Sequence, residues 1–304
     1  MKYHPDEIRI QERAGVRHIA DRKSDIYSSI PLVAQSFLEA QPYFIMGAAQ
    51  ENGSVWATAI FDNPGFVQVM DARTLQIHAF PISNDPMYEC ITEGNHLGTI
   101  GIDFSTRRRM RTNGIVRKKE TDGFVLEVHQ VYSNCPKYIQ AREIIKSNEP
   151  SGDRRGFALS SLTEDVLRWI HHADTFFIAS HHPDFGADVS HRGGMPGFVQ
   201  AEDDHTIVFP DYKGNSMFNT LGNFLSHPQG GLLFLDFETG DLLQISGTVE
   251  IDWGTSSRNR FAGAERILRF HVEQAWLTLN GMPLTWRLPD YSPANPLPTK
   301  SGSV

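Results

Sequence analysis

The chain has 304 residues, 40% of them hydrophobic and 21% charged, with a formal net charge of −8. That length leaves room for two domains of ordinary size, and the composition is that of a packed globular protein. A broad nucleic-acid surface is excluded, because the dense basic run is confined to Arg107, Arg108, Arg109 and Arg111.

Residues 1–24 read as an N-terminal arm. The opening segment, Met1 to Glu7, lacks the apolar run of a signal peptide, and no stretch approaches the ~20 apolar residues of a membrane span. Cys90 and Cys135 form no CxxC pair. Reduced thiols, a cytoplasmic location and no membrane partner are the expectation. Ile26, Ile30, Val33 and Phe37 recur at helical spacing. Short β-rich runs come after them: FIMGAA, SVWATAIF, GFVQVM, TLQIHAF, LGTIGIDF and GFVLEVHQVY. The polar, breaker-rich stretch KSNEPSGDRRG, near residues 146–158, marks a linker. Beyond it, Ser161 to Glu164 has a capping-box pattern before an apolar helical face of Leu162, Val166, Trp169 and Ile170. The runs FFIAS, GFVQA, HTIVF, GGLLFLDF and LLQISGTVEI come next. A helix from Ser216 to Ser226, with Phe218, Leu221, Phe224 and Leu225 on its buried face, is expected to stop at His227-Pro228.

The two series repeat one another. Pro64 to Gln68 (PGFVQ) recurs as Pro196 to Gln200, an offset of 132, and Gly98 to Phe104 aligns with Gly231 to Phe237 at 133. A two-copy repeat of this length reads as duplicated domains, since solenoid periods are nearer 20–50 residues. Many short strands with turns between them predict barrels or sandwiches.

The second copy holds an anion-binding pattern. Strand alternation puts Ser190 and Arg192 on one face, and a hydroxyl beside a guanidinium suits a phosphate monoester. Asp211-Tyr212-Lys213-Gly214-Asn215-Ser216 leads into the inserted helix, whose N-terminal N–H groups and Lys213 would favour an anion. Gly214 would permit a close backbone approach or a positive φ. The alternative is an Arg–Asp surface pair and an ordinary helix cap. The repeat acts as an internal control: Ser190, His191 and Arg192 correspond to Thr58, Ala59 and Ile60, and Lys213, Gly214 and Asn215 to Pro81, Ile82 and Ser83. One copy keeps the framework without the charges, so one phosphate site per chain is expected.

The run DVSHRGGMPGFVQAEDDHTIVFPDYKGN, with NCPKYIQ at Asn134 to Gln140, resembles the pyridoxamine 5′-phosphate oxidase-like FMN-binding split-barrel superfamily. More closely it resembles the PPOX-class flavin-nucleotide-binding proteins. The resemblance spans roughly residues 25–285. It implies a mainly β (α+β) fold of two tandem split β-barrels with flanking helices: a degenerate first barrel at 25–148, a second barrel with the FMN-phosphate site at 149–288, and an extended tail at 289–304. It implies FMN held by Ser190, Arg192, Gly193, Lys213, Gly214, Asn215 and Ser216, with Asp211 and Tyr212 near the ribityl chain or ring edge. Lys137 and Tyr138 would hydrogen-bond the flavin's pyrimidine edge.

The C-terminal segment AWLTLNGMPLTWRLPDY departs from the arginine- and histidine-bearing end of true pyridoxamine phosphate oxidases, so vitamin B6 oxidation is not expected. An FMN-dependent oxidoreductase is the first expectation, with a small-molecule substrate and a redox partner protein or NAD(P)H as donor. The alternatives are a non-catalytic flavin carrier and a haem-binding barrel. No catalytic acid or base stands out. His171-His172 reads as a helix end and His181-His182 as a loop after a strand, neither with metal-ligand spacing. Cys135 reads as a small buried hydrophobe or a residue facing the ligand. The Arg107–Arg111 run reads first as a solvated turn, and second as a phosphate contact. A homodimer is expected from the prevalence of two-fold assemblies.

Overall fold

The computed structural model describes residues 2–22, 26–147, 154–255, 260–287 and 289–296, and its backbone is mainly β. The first half supplies β1 (Tyr43–Ala49), β2 (Val55–Phe61), β3 (Val67–Asp71), β4 (Thr74–Ile77), β5 (His96–Asp103), β6 (Arg108–Lys119) and β7 (Phe124–Ser133). A short pair, β8 (Ile144–Ser147) with β17 (Leu284–Trp286), stands apart. The second half supplies β9 (Arg155–Leu159), β10 (Thr175–His182), β11 (Gly186–Gly193), β12 (Gln200–Ala201), β13 (Thr206–Tyr212), β14 (Gln229–Leu235), β15 (Leu242–Asp252) and β16 (Ala264–Leu279).

The first sheet runs β2-β1-β5-β6-β7-β4-β3 and the second β11-β10-β14-β15-β16-β13-β12, the same order, with β9 added on β16. Register repeats as well. Tyr43 faces Phe61 as Thr175 faces Gly193, and Ile100 faces Arg111 as Leu233 faces Gln244. These are two tandem split β-barrels, the fold class that the resemblance implies.

Each barrel encloses its own apolar core, and a third core lies between them, with Ile45, Ala57, Ile100, Phe177, Ala179 and Leu233 among its members. β1 is therefore buried along its whole length, which explains its unbroken apolar run. The barrels meet where glycine lets backbones touch. A Cβ on Gly98 would lie 2.5–2.7 Å from the Asp188 backbone, and one on Gly231 would lie 2.7–2.8 Å from that of Val55 and Trp56. The repeat equates Gly98 with Gly231 and Trp56 with Asp188, so the contact is exchanged between halves as in an isologous interface.

Several helices differ from their sequence patterns. The first barrel's helix, α3 (Leu32–Glu39), starts only after Pro31 and buries Ala34 and Leu38, whereas Val33 is exposed. Proline disfavours helical backbone in the residue before it, which breaks the pattern begun at Ile26. α4 (Glu164–His172) is capped by Thr163, whose hydroxyl accepts from the Val166 N–H, not by Ser161. α5 (Asn219–Ser226) begins three residues later than Ser216, and Leu225 on it is exposed. The N-terminal segment forms α1 (Pro5–Arg13) and α2 (Arg17–Arg22). Of the predicted linker, residues 148–153 lie outside the described residues, as do residues 297–304 of the tail. Residues 292 and 295 of that tail hydrogen-bond Gln140. Among the described residues no helix is long and apolar enough to cross a membrane.

Candidate functional site

A cleft of about 210 Å³ opens where the second barrel's β11, β13 and α5 approach the first barrel's β6 and the loop after β7. All eleven residues singled out in the sequence line it: Ser190, Arg192 and Gly193 from β11, Asp211 to Ser216 around the end of β13, and Lys137 and Tyr138 from the first barrel. Five basic side chains (Arg109, Arg111, Lys137, Arg192 and Lys213) face two carboxylates, Asp211 and Glu265. In a chain of net charge −8 this is a local positive site.

On the second-barrel side, β11 alternation places Asp188, Ser190 and Arg192 on one face, as expected. Arg192 Nη1 donates to Asp211 Oδ1 at 2.7 Å, so the Arg–Asp pairing does exist, but inside the cleft. Asp211 is 4% exposed. The Ser190 hydroxyl lies 2.8 Å from Thr220 Oγ1 and 3.3 Å from Asp188, so its single proton already has partners within the protein. Gly214 has no positive φ, and a Cβ there would meet only the Tyr212 carbonyl at 3.8 Å. Left-handed backbone falls instead on Ser216 (φ 64) and Phe218 (φ 63), which turn the chain into α5. Asn215 Oδ1 accepts from the Met217 N–H and shapes the same bend.

The first barrel closes the cleft. Tyr138, itself left-handed (φ 65), donates its hydroxyl to the Lys213 carbonyl at 3.0 Å and packs its ring 5.2 Å from that of Tyr212. Gly193 is obligatory here, because a side chain would overlap the Tyr138 carbonyl. The arginine run is not a solvated turn. The turn ends at Arg107, and β6 carries Arg109, Arg111 and Asn113 on one face. Arg111 Nη1 reaches both Asp188 oxygens at 2.8 and 2.9 Å, and Tyr132 and Asn113 donate to the same carboxylate. Burial alone would raise the Asp188 pKa, but Arg111 and these hydrogen bonds hold it below the usual aspartate value.

Arg109 is different. Its Nη2 donates to the Cys135 carbonyl at 3.0 Å, its Nε is enclosed without a partner, and it pairs with no carboxylate among the described residues. Burial, with Arg111 and Arg192 close by, pushes its pKa down to about 9. Enclosed atoms without partners cluster around it: both side-chain polar atoms of Asn134, both ring nitrogens of His191 and Nε of Arg192. Burial and the neighbouring arginines push the His191 pKa well below its ordinary value, so its ring is neutral. Asn134, His191 and Thr220 stand outside the site residues that the sequence marks, and Arg109 enters only through the second reading of the Arg107–Arg111 run. For Arg109 the available signal was its i, i+2 alternation with Arg111.

The N-terminal helices complete the wall. Val16 and Ile19 line the cleft, Gln11 donates to the Met217 carbonyl at 2.9 Å, and Asn219 donates to Glu7. The histidine pairs lie elsewhere. His181 and His182 end β10 rather than following it; His181 packs near His96 and His227, and His182 near His4 and Asp6. Among the described residues no group of three or more histidine, cysteine or acidic side chains could hold a metal ion. Cys135, half-exposed, lines the cleft.

Residues 162–278 match the pyridoxamine 5′-phosphate oxidase family model, so the second barrel is pyridoxamine 5′-phosphate oxidase-like. No curated protein matches the chain. Similar solved structures include HupZ from Group A Streptococcus (14% identity, 37% of this chain and 91% of that one, TM-score 0.31). Others are a putative pyridoxamine 5′-phosphate oxidase from Lactobacillus delbrueckii (12%, 39% and 97%, 0.33) and an FMN-binding protein from Syntrophomonas wolfei (11%, 36% and 82%, 0.29).

Proposed function

We propose that the chain binds one FMN in this cleft and acts as an FMN-dependent oxidoreductase. The observation that carries the reading is Arg109, a cation with an enclosed Nε and, among the described residues, no counter-ion, beside Arg111, Arg192 and Lys213. Arg109 is half-buried, and an anionic ligand in the cleft would give it the charge-assisted contact that the fold does not supply. The family match of residues 162–278 and the motifs around Arg192 and Asn215 support a flavin nucleotide as that ligand. Arg192, Lys213 and the backbone before α5 would hold the phosphate. Arg109, whose guanidinium lines the cleft, suits a carbonyl oxygen of the flavin. Bound FMN would supply hydride or single-electron chemistry, and the protein's part is to orient it and exclude water.

Purified protein with absorbance near 450 nm would support the reading, and anaerobic bleaching by NADH or NADPH would support the enzyme over a carrier. Arg192→Ala and Lys213→Ala should each weaken FMN binding about tenfold or more, equivalent to ~1.4 kcal/mol. Unchanged affinity in both variants would sink the assignment.

A further inference from the structure

Asp211 is where the anion grip is tied to the rest of the barrel. Its Oδ1 takes Arg192, and its Oδ2 accepts from Arg266 Nε at 2.9 Å and lies 2.8 Å from Arg266 Nη2. Asp211 and Arg266 are cross-strand partners on β13 and β16, and the ladder shifts register immediately afterwards, between Asp211 and Tyr212. Such a bulge bends the strand and re-aims the chain beyond it, here the Lys213–Ser216 loop. Arg266 is 3% exposed and does not line the cleft. Its guanidinium packs over the Phe218 ring at 4.8 Å, and Phe218 is the left-handed residue that opens α5. One buried side chain therefore touches both the carboxylate that holds Arg192 and the ring that sets the helix start.

We propose that Arg266 is the positioning residue of the phosphate grip. It acts through Asp211 on Arg192 and through Phe218 on the N–H groups before α5, without touching the ligand. It also offsets the Asp211 charge, which would otherwise oppose an anion beside Arg192. The site thereby selects a phosphate monoester over the same molecule without its phosphate. This rests on the FMN reading. The first barrel lacks the side chains for such a link, since the counterparts of Asp211 and Phe218 at the 132 offset are Ala79 and Pro86.

The test compares FMN with riboflavin by fluorescence titration of the full chain. Arg266→Met should weaken FMN about tenfold or more and riboflavin less than about twofold, with Arg266→Lys, which keeps the charge but not the fork, falling between. Equal losses on both flavins would reveal a merely structural role and overturn the proposal, as would unchanged FMN binding. If Arg266→Met does not unfold cooperatively, Arg266→Lys decides: selective loss of FMN supports the proposal, and an unchanged FMN-to-riboflavin ratio overturns it. Wild-type protein that binds neither flavin would sink the FMN reading and this proposal together. Wild-type binding with an unchanged ratio in both variants would sink the role of Arg266 alone.

Discussion

Arg111 of the first barrel places its Nη1 within 2.8 Å of the Asp188 carboxylate of the second, with both side chains almost wholly buried. Removing one partner of such a pair leaves a charge uncompensated. Asp188→Asn should therefore cost about 3–5 kcal/mol in urea unfolding. The Asp188 pKa is depressed in the folded state, so its contribution is present above the ordinary value of 3.8 and is lost as pH falls through the folded pKa. Wild-type unfolding midpoints should drop with acidification below that value, and those of Asp188→Asn should drop less.

Arg109 should behave in the opposite way. Lacking a carboxylate, it contributes nothing by ion pairing to the ligand-free fold, and Arg109→Met should leave ligand-free stability within about 0.5 kcal/mol or raise it. FMN affinity should nonetheless fall about tenfold. Parallel denaturation and titration would check this, and a variant losing stability but not affinity would contradict the assigned role.

Glu7 makes a pH dependence of its own. Burial, opposed by hydrogen bonds from the His4 N–H and Asn219, raises its pKa from 4.5 to about 8. An acid whose folded pKa is raised keeps its proton in the fold and loses it in the unfolded chain. Stability therefore falls as pH rises from 4.5 towards 8 and levels off above. Glu7→Gln should flatten that slope. Urea midpoints at pH 5, 7 and 9 for both proteins would show it, and parallel pH profiles would refute it.

Calorimetric titration should return one FMN per chain. The counterparts of Arg192 and Lys213 are Ile60 and Pro81, and those of Arg109 and Arg111 on β15 are Leu242 and Gln244. Gln244 there donates to the Ala57 carbonyl and to Asp85, which also accepts from Thr58. Ile60 is 2% exposed, and Ile60→Ala should cost about 2–5 kcal/mol of stability without lowering FMN affinity.

Much of this arrangement is legible in the chain because the repeat doubles most strand signals and alternation along Asp188–Arg192 fixes which side chains share a face. What escaped did so for identifiable reasons. The run RRMRTNG has the composition of a polar turn, yet Arg109 and Arg111 sit on a strand whose charged face is covered by the other barrel. β16, which carries Arg266, lies outside the runs that read as strands, and its contact with Asp211 spans 55 residues. The α1–α5 contact joins residues some 212 apart, as in Glu7 with Asn219. Local periodicity carries no information about such pairings. The late start of α5 reflects two closely spaced bends at Ser216 and Phe218, left-handed positions that those residue types do not advertise.

The exchanged contacts of Gly98 and Gly231 have a consequence for how such a site can change. Two identical chains meeting across a two-fold must accept every substitution twice, once on each side. With both halves in one polypeptide, Ile60 can serve the interior of one barrel while Arg192 serves the other's cleft. Each position answers to a single set of neighbours, and the symmetry survives in the backbone and in shared apolar positions such as Phe66 and Phe198.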